Sequence, residues 1–174
     1  MGTRRCSDSE LLRCVGGEIA LRRRSCGMSQ EDLAELCGTH RNSIGRIERG
    51  GCDASVTVLS YLYFALGCEG VCIDAHSVVP YAPQPDGAQP RALDNPSGMH
   101  PATMVRILSS TVRARRLAMG MSLQSAANDS LIHINSLWSF ERGLVRPSIT
   151  TYVSLLRALE VTCVTQVGGV PVFR

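Results

Sequence analysis

The stretch that decides the fold is "MSQEDLAELCGTHRNSIGRIERG", residues 28–50. Ser29 followed three residues later by Asp32 reads as a capping box, in which side chain and backbone satisfy each other at a helix start. Leu33 and Leu36 give that helix an apolar face. Gly38 supplies a turn that a Cβ would strain. A second helix, Asn42 to Arg49, turns Ile44 and Ile47 inward and stops at Gly50-Gly51. The expectation is two short helices joined tightly, the second presenting polar side chains outward.

Working outward, Leu11, Val15 and Ile19 share one face of a preceding helix that ends before Gly27. Ser55 opens a following helix carrying Val58, Leu59, Leu62 and Leu66. "GCEGVCIDAHSVV", residues 67–79, then holds a short β-like run at about 71–75. The same series recurs. Sliding the chain by 93 residues aligns 19–68 with 112–161 without a gap, matching Arg22/Arg115, Arg23/Arg116, Gly27/Gly120, Ser29/Ser122, Asn42/Asn135, Glu48/Glu141 and Gly50/Gly143 among others. The second series also closes in a β-prone run, "EVTCVTQVGGVPVF", with a strand expected at about 161–167. Between the two lies "PYAPQPDGAQPRALDNPSGMHP", residues 80–101, which holds six of the eight prolines and no hydrophobic periodicity. It reads as a semi-extended linker. The expected organisation is therefore a domain at 1–79, a linker at 80–101 and a second, divergent domain at 102–174.

The 174 residues suit one ordinary domain or two small ones. All eighteen basic residues are arginine, and the net charge is +3. Residues 1–80 carry nine arginines against ten acids, whereas residues 101–174 carry eight against three, so the second half is the basic one. "MGTRRCSDSELL" has no apolar core after its arginines, and no run reaches membrane-span length. A cytoplasmic, soluble protein without membrane association is expected. The eight cysteines contain no C-x-x-C and no zinc-finger spacing with histidine, so no metal site is expected. With no paired Cys/His or Ser/His/Asp arrangement and no phosphate-binding glycine loop, neither an enzyme nor a cofactor is expected.

The S-Q-E-x-L-A, the turn glycine, the I-x-R-I-E-R-G and the later A-L-G of the first series resemble the lambda-repressor-like, or XRE-type, helix-turn-helix family. The resemblance covers about 10–68 and again 104–161. It implies an all-α fold with short β-strands, in two tandem helix-turn-helix domains each followed by a short strand. It also implies double-stranded DNA as partner, read by the 41–49 helix, in a transcriptional regulator acting as a repressor. Carried over residue by residue, Gln30 contacts a phosphate and braces the reading side chains. Arg41, Asn42 and Arg46 face base edges, Ser43 holds a phosphate, and His40 stands at the helix cap. Arg to guanine and Asn to adenine are the matching bidentate pairs. Arg22, Arg23 and Arg24 read either as a phosphate patch or as a solvated face. Glu48 is expected to pair with an arginine inside the domain.

The second series departs from the pattern. Leu123 stands for Gln30, Leu131 for Gly38, and Ser125 for the capping Asp32. The corresponding reading positions are His133, Ile134, Asn135, Ser136, Trp138 and Ser139. Ile134 and Trp138 could meet thymine methyls beside an adenine-reading Asn135, form an apolar face for a protein partner, or fold inward as core. Arg113, Arg115, Arg116, Arg142 and Arg146 favour DNA nearby. The trailing strands could pair within one chain, making an intramolecular pseudo-dimer with unlike reading helices, or between chains in a homodimer. The alternative function is an antitoxin-like or adaptor protein whose second repeat binds a protein.

Overall fold

A computed structural model describes residues 7–68, 70–73, 78–81, 101–161, 164–167 and 170–173. Four helices come first: α1 (Asp8–Ser25), α2 (Gln30–Leu36), α3 (Arg41–Glu48) and α4 (Val56–Ala65), then strands β1 (Gly70–Ile73) and β2 (Val78–Tyr81). Four more follow: α5 (Pro101–Ala118), α6 (Leu123–Ser130), α7 (Ile134–Glu141) and α8 (Ile149–Ala158), then β3 (Val164–Val167) and β4 (Val170–Phe173). Adding 93 to the bounds of α1, α3 and α4 gives those of α5, α7 and α8.

The helix starts follow from the sequence. Ser29 accepts from the Asp32 amide while Asp32 accepts from the Ser29 amide, and Ser7 and Glu10 do the same for α1. Ser55, Ser122 and Ser148 cap α4, α6 and α8. The two Ser29 hydrogen bonds, backbone first, hold the Asp32 carboxyl below its usual range. The turns need left-handed backbone. Gly38 supplies it at φ 60°, while Leu131 takes the same conformation at φ 58° despite its side chain.

The core is continuous across both sets of helices. Leu11, Val15, Ile19, Leu33, Ile44 and Leu59 join Leu108, Val112, Leu137, Phe140, Tyr152 and Leu156 in one buried cluster. Leu36 is only half-buried and Val58 is 39% exposed, so neither is a full core residue as the spacing had suggested. Phe140 and Tyr152 meet edge to face, with ring centres 6.0 Å apart. Gly16 lets α1 lie against the end of α3: a Cβ there would stand 2.2 Å from the Ile47 carbonyl oxygen. The corresponding Ser109 is buried and donates to the Val105 carbonyl at 2.6 Å.

The four strands form one antiparallel sheet in the order β2-β1-β3-β4. Each helical set therefore ends in a hairpin, not in the single strand expected. Strand β2 contains Pro80 and Tyr81, the first two residues of the expected linker, and α5 starts at Pro101, its last. The intervening residues 82–100 lie outside the described ones, as do 74–75 and 162–163 of the expected strands. Hairpin β1–β2 is joined to hairpin β3–β4 by β1 and β3, with Cys72 opposite Thr165 and Ile73 opposite Val164. A second junction lies in the loops before α4 and α8, where Ser55 and Ser148 form an antiparallel bridge. The two helical sets are thus packed on each other rather than held apart as separate bodies. No helix among the described residues is long and apolar enough to cross a membrane.

Candidate nucleic-acid interface

The platform under α3 is a buried charge network. Arg23 Nε donates to Glu48 Oε1 at 2.6 Å and its Nη2 to Glu48 Oε2 at 3.0 Å, with Nη1 on the Met28 carbonyl at 2.7 Å. Gln30 Nε2 donates to Glu48 Oε2 at 2.7 Å. Burial alone would raise the Glu48 carboxyl, but hydrogen bonds from Arg23 and Gln30 and the Arg23 charge outweigh it and hold Glu48 below the usual carboxylate range. The same carboxylate raises the Arg23 guanidinium, mainly through the hydrogen bond. The network locks the end of α1, the start of α2 and the end of α3 together, which fixes how α3 is presented.

On that platform α3 has two distinct sides. Ile44 and Ile47 are buried, while Arg41, Asn42 and Arg46 are exposed. The Arg46 side chain has no ion-pair partner among the described residues. Arg41 reaches Glu31 only at 4.0 Å, both side chains being about two-thirds exposed, a pair worth little in water. Ser43 is half-buried beside them. His40 occupies the cap position, but its side chain makes no capping hydrogen bond. Gln30 is half-buried, with its amide nitrogen committed to Glu48. Gly45 keeps space beside it, since a Cβ there would lie 3.2 Å from Arg49 Nη1 and 3.4 Å from Gln30 Oε1.

Helix α7 stands on an equivalent platform. Arg116 donates to both Glu141 oxygens at 2.6 and 2.7 Å and to the Met121 carbonyl at 2.8 Å. Leu123, at the place of Gln30, brings no third donor. His133 does cap its helix, with Nδ1 accepting from the Asn135 amide at 3.2 Å. Asn135 and Ser136 are exposed, and Ile134 and Ser139 half-buried. Asn135, Ser136 and Ser139 line a groove of about 410 Å³ with Val145, Arg146 and Pro147. Trp138, which replaces Gly45, is not core: it is 43% exposed, and the Arg142 guanidinium stacks over its ring at 4.1 Å. The inward reading is corrected, because Leu137 and Phe140 already fill the buried face of α7.

Two expectations about arginine are also corrected. Arg22, Arg23 and Arg24 do not make one patch or one solvated face, since Arg23 is buried against Glu48 and Arg22 pairs with Glu18 at 2.8 Å. Much of the second-half surplus is likewise structural. Arg116 is buried against Glu141, Arg115 donates to the Leu159 carbonyl and Arg142 covers Trp138. Arg113 and Arg146 are exposed.

Contacts that sequence reasoning missed join the two sets. Asp53 accepts from the Thr150 amide and hydroxyl, 97 positions away. Only a pairing of the two loops could reveal this. Among the described residues, no group of three or more His, Cys, Asp or Glu side chains could hold a metal ion. Burial pushes the Cys37 thiol up to about 11, away from thiolate chemistry.

Residues 19–60 match the family model for the helix-turn-helix, from the second half of α1 into α4. No curated protein and no solved structure matches the chain.

Proposed function

We propose that this protein is a sequence-specific, double-stranded-DNA-binding transcriptional regulator of the XRE type that acts as a repressor in the cytoplasm. The observation that carries this is the outer face of α3. Arg41, Asn42 and Arg46 project from a helix whose position is locked by the Arg23–Glu48–Gln30 network, and contacts among the described residues leave their side chains almost unused. Rigid presentation of unspent guanidinium and amide groups suits direct reading of guanine and adenine in the major groove. Ser43 flanks that face as a phosphate contact, as does Gln30 through the second hydrogen of the amide nitrogen that braces Glu48. The match at residues 19–60 supports the same assignment. The common helix bounds and the repeated Arg–Glu platform support reading α5–α8 as a second, tandem copy.

The test is binding to duplexes selected from a random library by the full chain, at a stated salt concentration. Arg41→Ala is expected to lower affinity for the selected site about 5- to 150-fold, the equivalent of one bidentate base contact, and to relax preference at one position. Unchanged affinity and preference would remove α3 as the reading element. A second reading, an antitoxin-like or adaptor role, is favoured by one observation: Trp138, Leu131, Leu144 and Val145 are 43%, 94%, 66% and 42% exposed around α7. Under that reading, Trp138→Ala abolishes capture of a protein partner while DNA affinity through α3 persists.

A further inference from the structure

We propose that one chain supplies both halves of a two-fold DNA-binding unit, and that its target is a duplex with two unlike half-sites in inverted orientation. The proposal rests on the DNA-reading assignment above. It adds the stoichiometry, the orientation of the half-sites and the side chains that read the second one.

The junction between the helical sets carries the symmetry. Val56 donates its amide to the Pro147 carbonyl at 3.1 Å, and Ile149 donates its amide to the Ala54 carbonyl at 2.9 Å. Ile149 is Val56 moved by 93 positions, and Pro147 is Ala54 moved by 93. The second hydrogen bond is therefore the first with donor and acceptor sets exchanged. That reciprocity marks an isologous, two-fold contact. Ser55 and Ser148, which face each other in the bridge, are also 93 apart, as are Cys72 and Thr165 at the centre of the sheet. The packing agrees, since α1 meets α8 while α5, its counterpart, meets α4. The hairpins agree as well: Gly70 pairs with Tyr81 and Val164 with Phe173, so the summed positions differ by twice 93. Every observation gives one axis, passing between Ser55 and Ser148 and between Cys72 and Thr165.

The reading helices flank that axis. Glu48 ends α3 seven positions before Ser55, and Glu141 ends α7 seven before Ser148. Two-fold related reading helices meet a duplex in opposite senses, and half-site spacing then follows the helical repeat of about 10 base pairs. The side chains are not two-fold related. Arg41 and Arg46 on α3 correspond to Ile134 and Ser139 on α7, while Asn42 and Asn135 agree. Both half-sites are read for adenine by an asparagine, but guanine contacts belong to the α3 half, and Ile134 suits a thymine methyl in the other. A second chain is not needed. The place beside β1 where another copy's strand would pair is filled by β3 of the same chain.

The experiment takes the duplex selected by the full chain and measures its complex by native mass spectrometry, with Arg41→Ala and Asn135→Ala assayed in parallel. The expected result is one chain per duplex and a bipartite consensus of unlike, inverted halves. Arg41→Ala should relax preference in one half only and Asn135→Ala in the other only, each with a loss of roughly 5- to 150-fold. Two chains on a palindrome, or an Asn135→Ala protein with unchanged affinity and preference, would overturn the proposal and leave DNA reading by α3 standing. A full chain that selects no sequence at all would remove both.

Discussion

The turns before α3 and α7 set the angle at which each helix is presented, and they solve one backbone problem with different residues. Gly38 has φ 60°, and a Cβ built on it would meet nothing within 4 Å among the described residues. Leu131 has φ 58° and ψ 33°, and its side chain is 94% exposed. The cost at Leu131 is therefore purely conformational. A left-handed residue with a Cβ costs about 1–2 kcal/mol. Glycine there relieves this, but its unfolded-state freedom returns about 0.4–1 kcal/mol. Leu131→Gly should thus stabilise the protein by roughly 0.5–1 kcal/mol, a rise of about 1–4 °C in Tm for a chain of this size. No buried apolar contact is lost to offset it. Gly38→Ala should destabilise by a similar amount, because space is not limiting there. Urea denaturation followed by circular dichroism measures both, with m expected to stay constant. A Leu131→Gly protein less stable than the parent would refute the reasoning, since the leucine would then be contributing contacts that its exposure denies.

Two further perturbations test the platforms. Glu48 has a depressed folded-state pKa, so the unfolded chain binds more protons as pH falls; its stabilisation is complete above the ordinary glutamate value near 4.3 and is lost as pH drops through the lower folded value. Glu48→Gln should cost about 3 kcal/mol at pH 7, by leaving Arg23 buried without its counter-charge, and should make the acid limb of the stability–pH curve shallower; an unchanged limb in denaturation at pH 3–6 would remove Glu48 as its source. Gly16→Ala should destabilise by about 3 kcal/mol in the same assay, because its Cβ would lie 2.2 Å from the Ile47 carbonyl and 2.7 Å from that of Glu48, both backbone atoms; a neutral result would mean that α1 and α3 separate freely.

The sequence by itself determined the local elements and their repetition. Caps such as Ser29 with Asp32, stops such as Gly27 and Gly50, and the inward Ile44 and Ile47 act within a few residues, where covalent geometry and helical period dominate. The outer face of α3 was legible for the same reason, because what is not apolar on a short helix points out. The fate of individual arginines was not. Arg23 and Arg24 are neighbours of one type, yet Arg23 is buried against Glu48, 25 positions away, and Arg24 is exposed. Trp138 could have been groove, patch or core, and only the filling of the inner face by Leu137 and Phe140 placed it outside. The relation between the two helical sets was likewise left open, since a strand edge pairs equally well with its own chain or another. In the structure, the exchange of backbone hydrogen bonds around Ser55 and Ser148 and the pairing of β1 with β3 join the two sets within one chain. Those are contacts between residues 91 to 95 positions apart. Local pattern carries no information about them, because their free energy comes from two surfaces that meet only after each has folded.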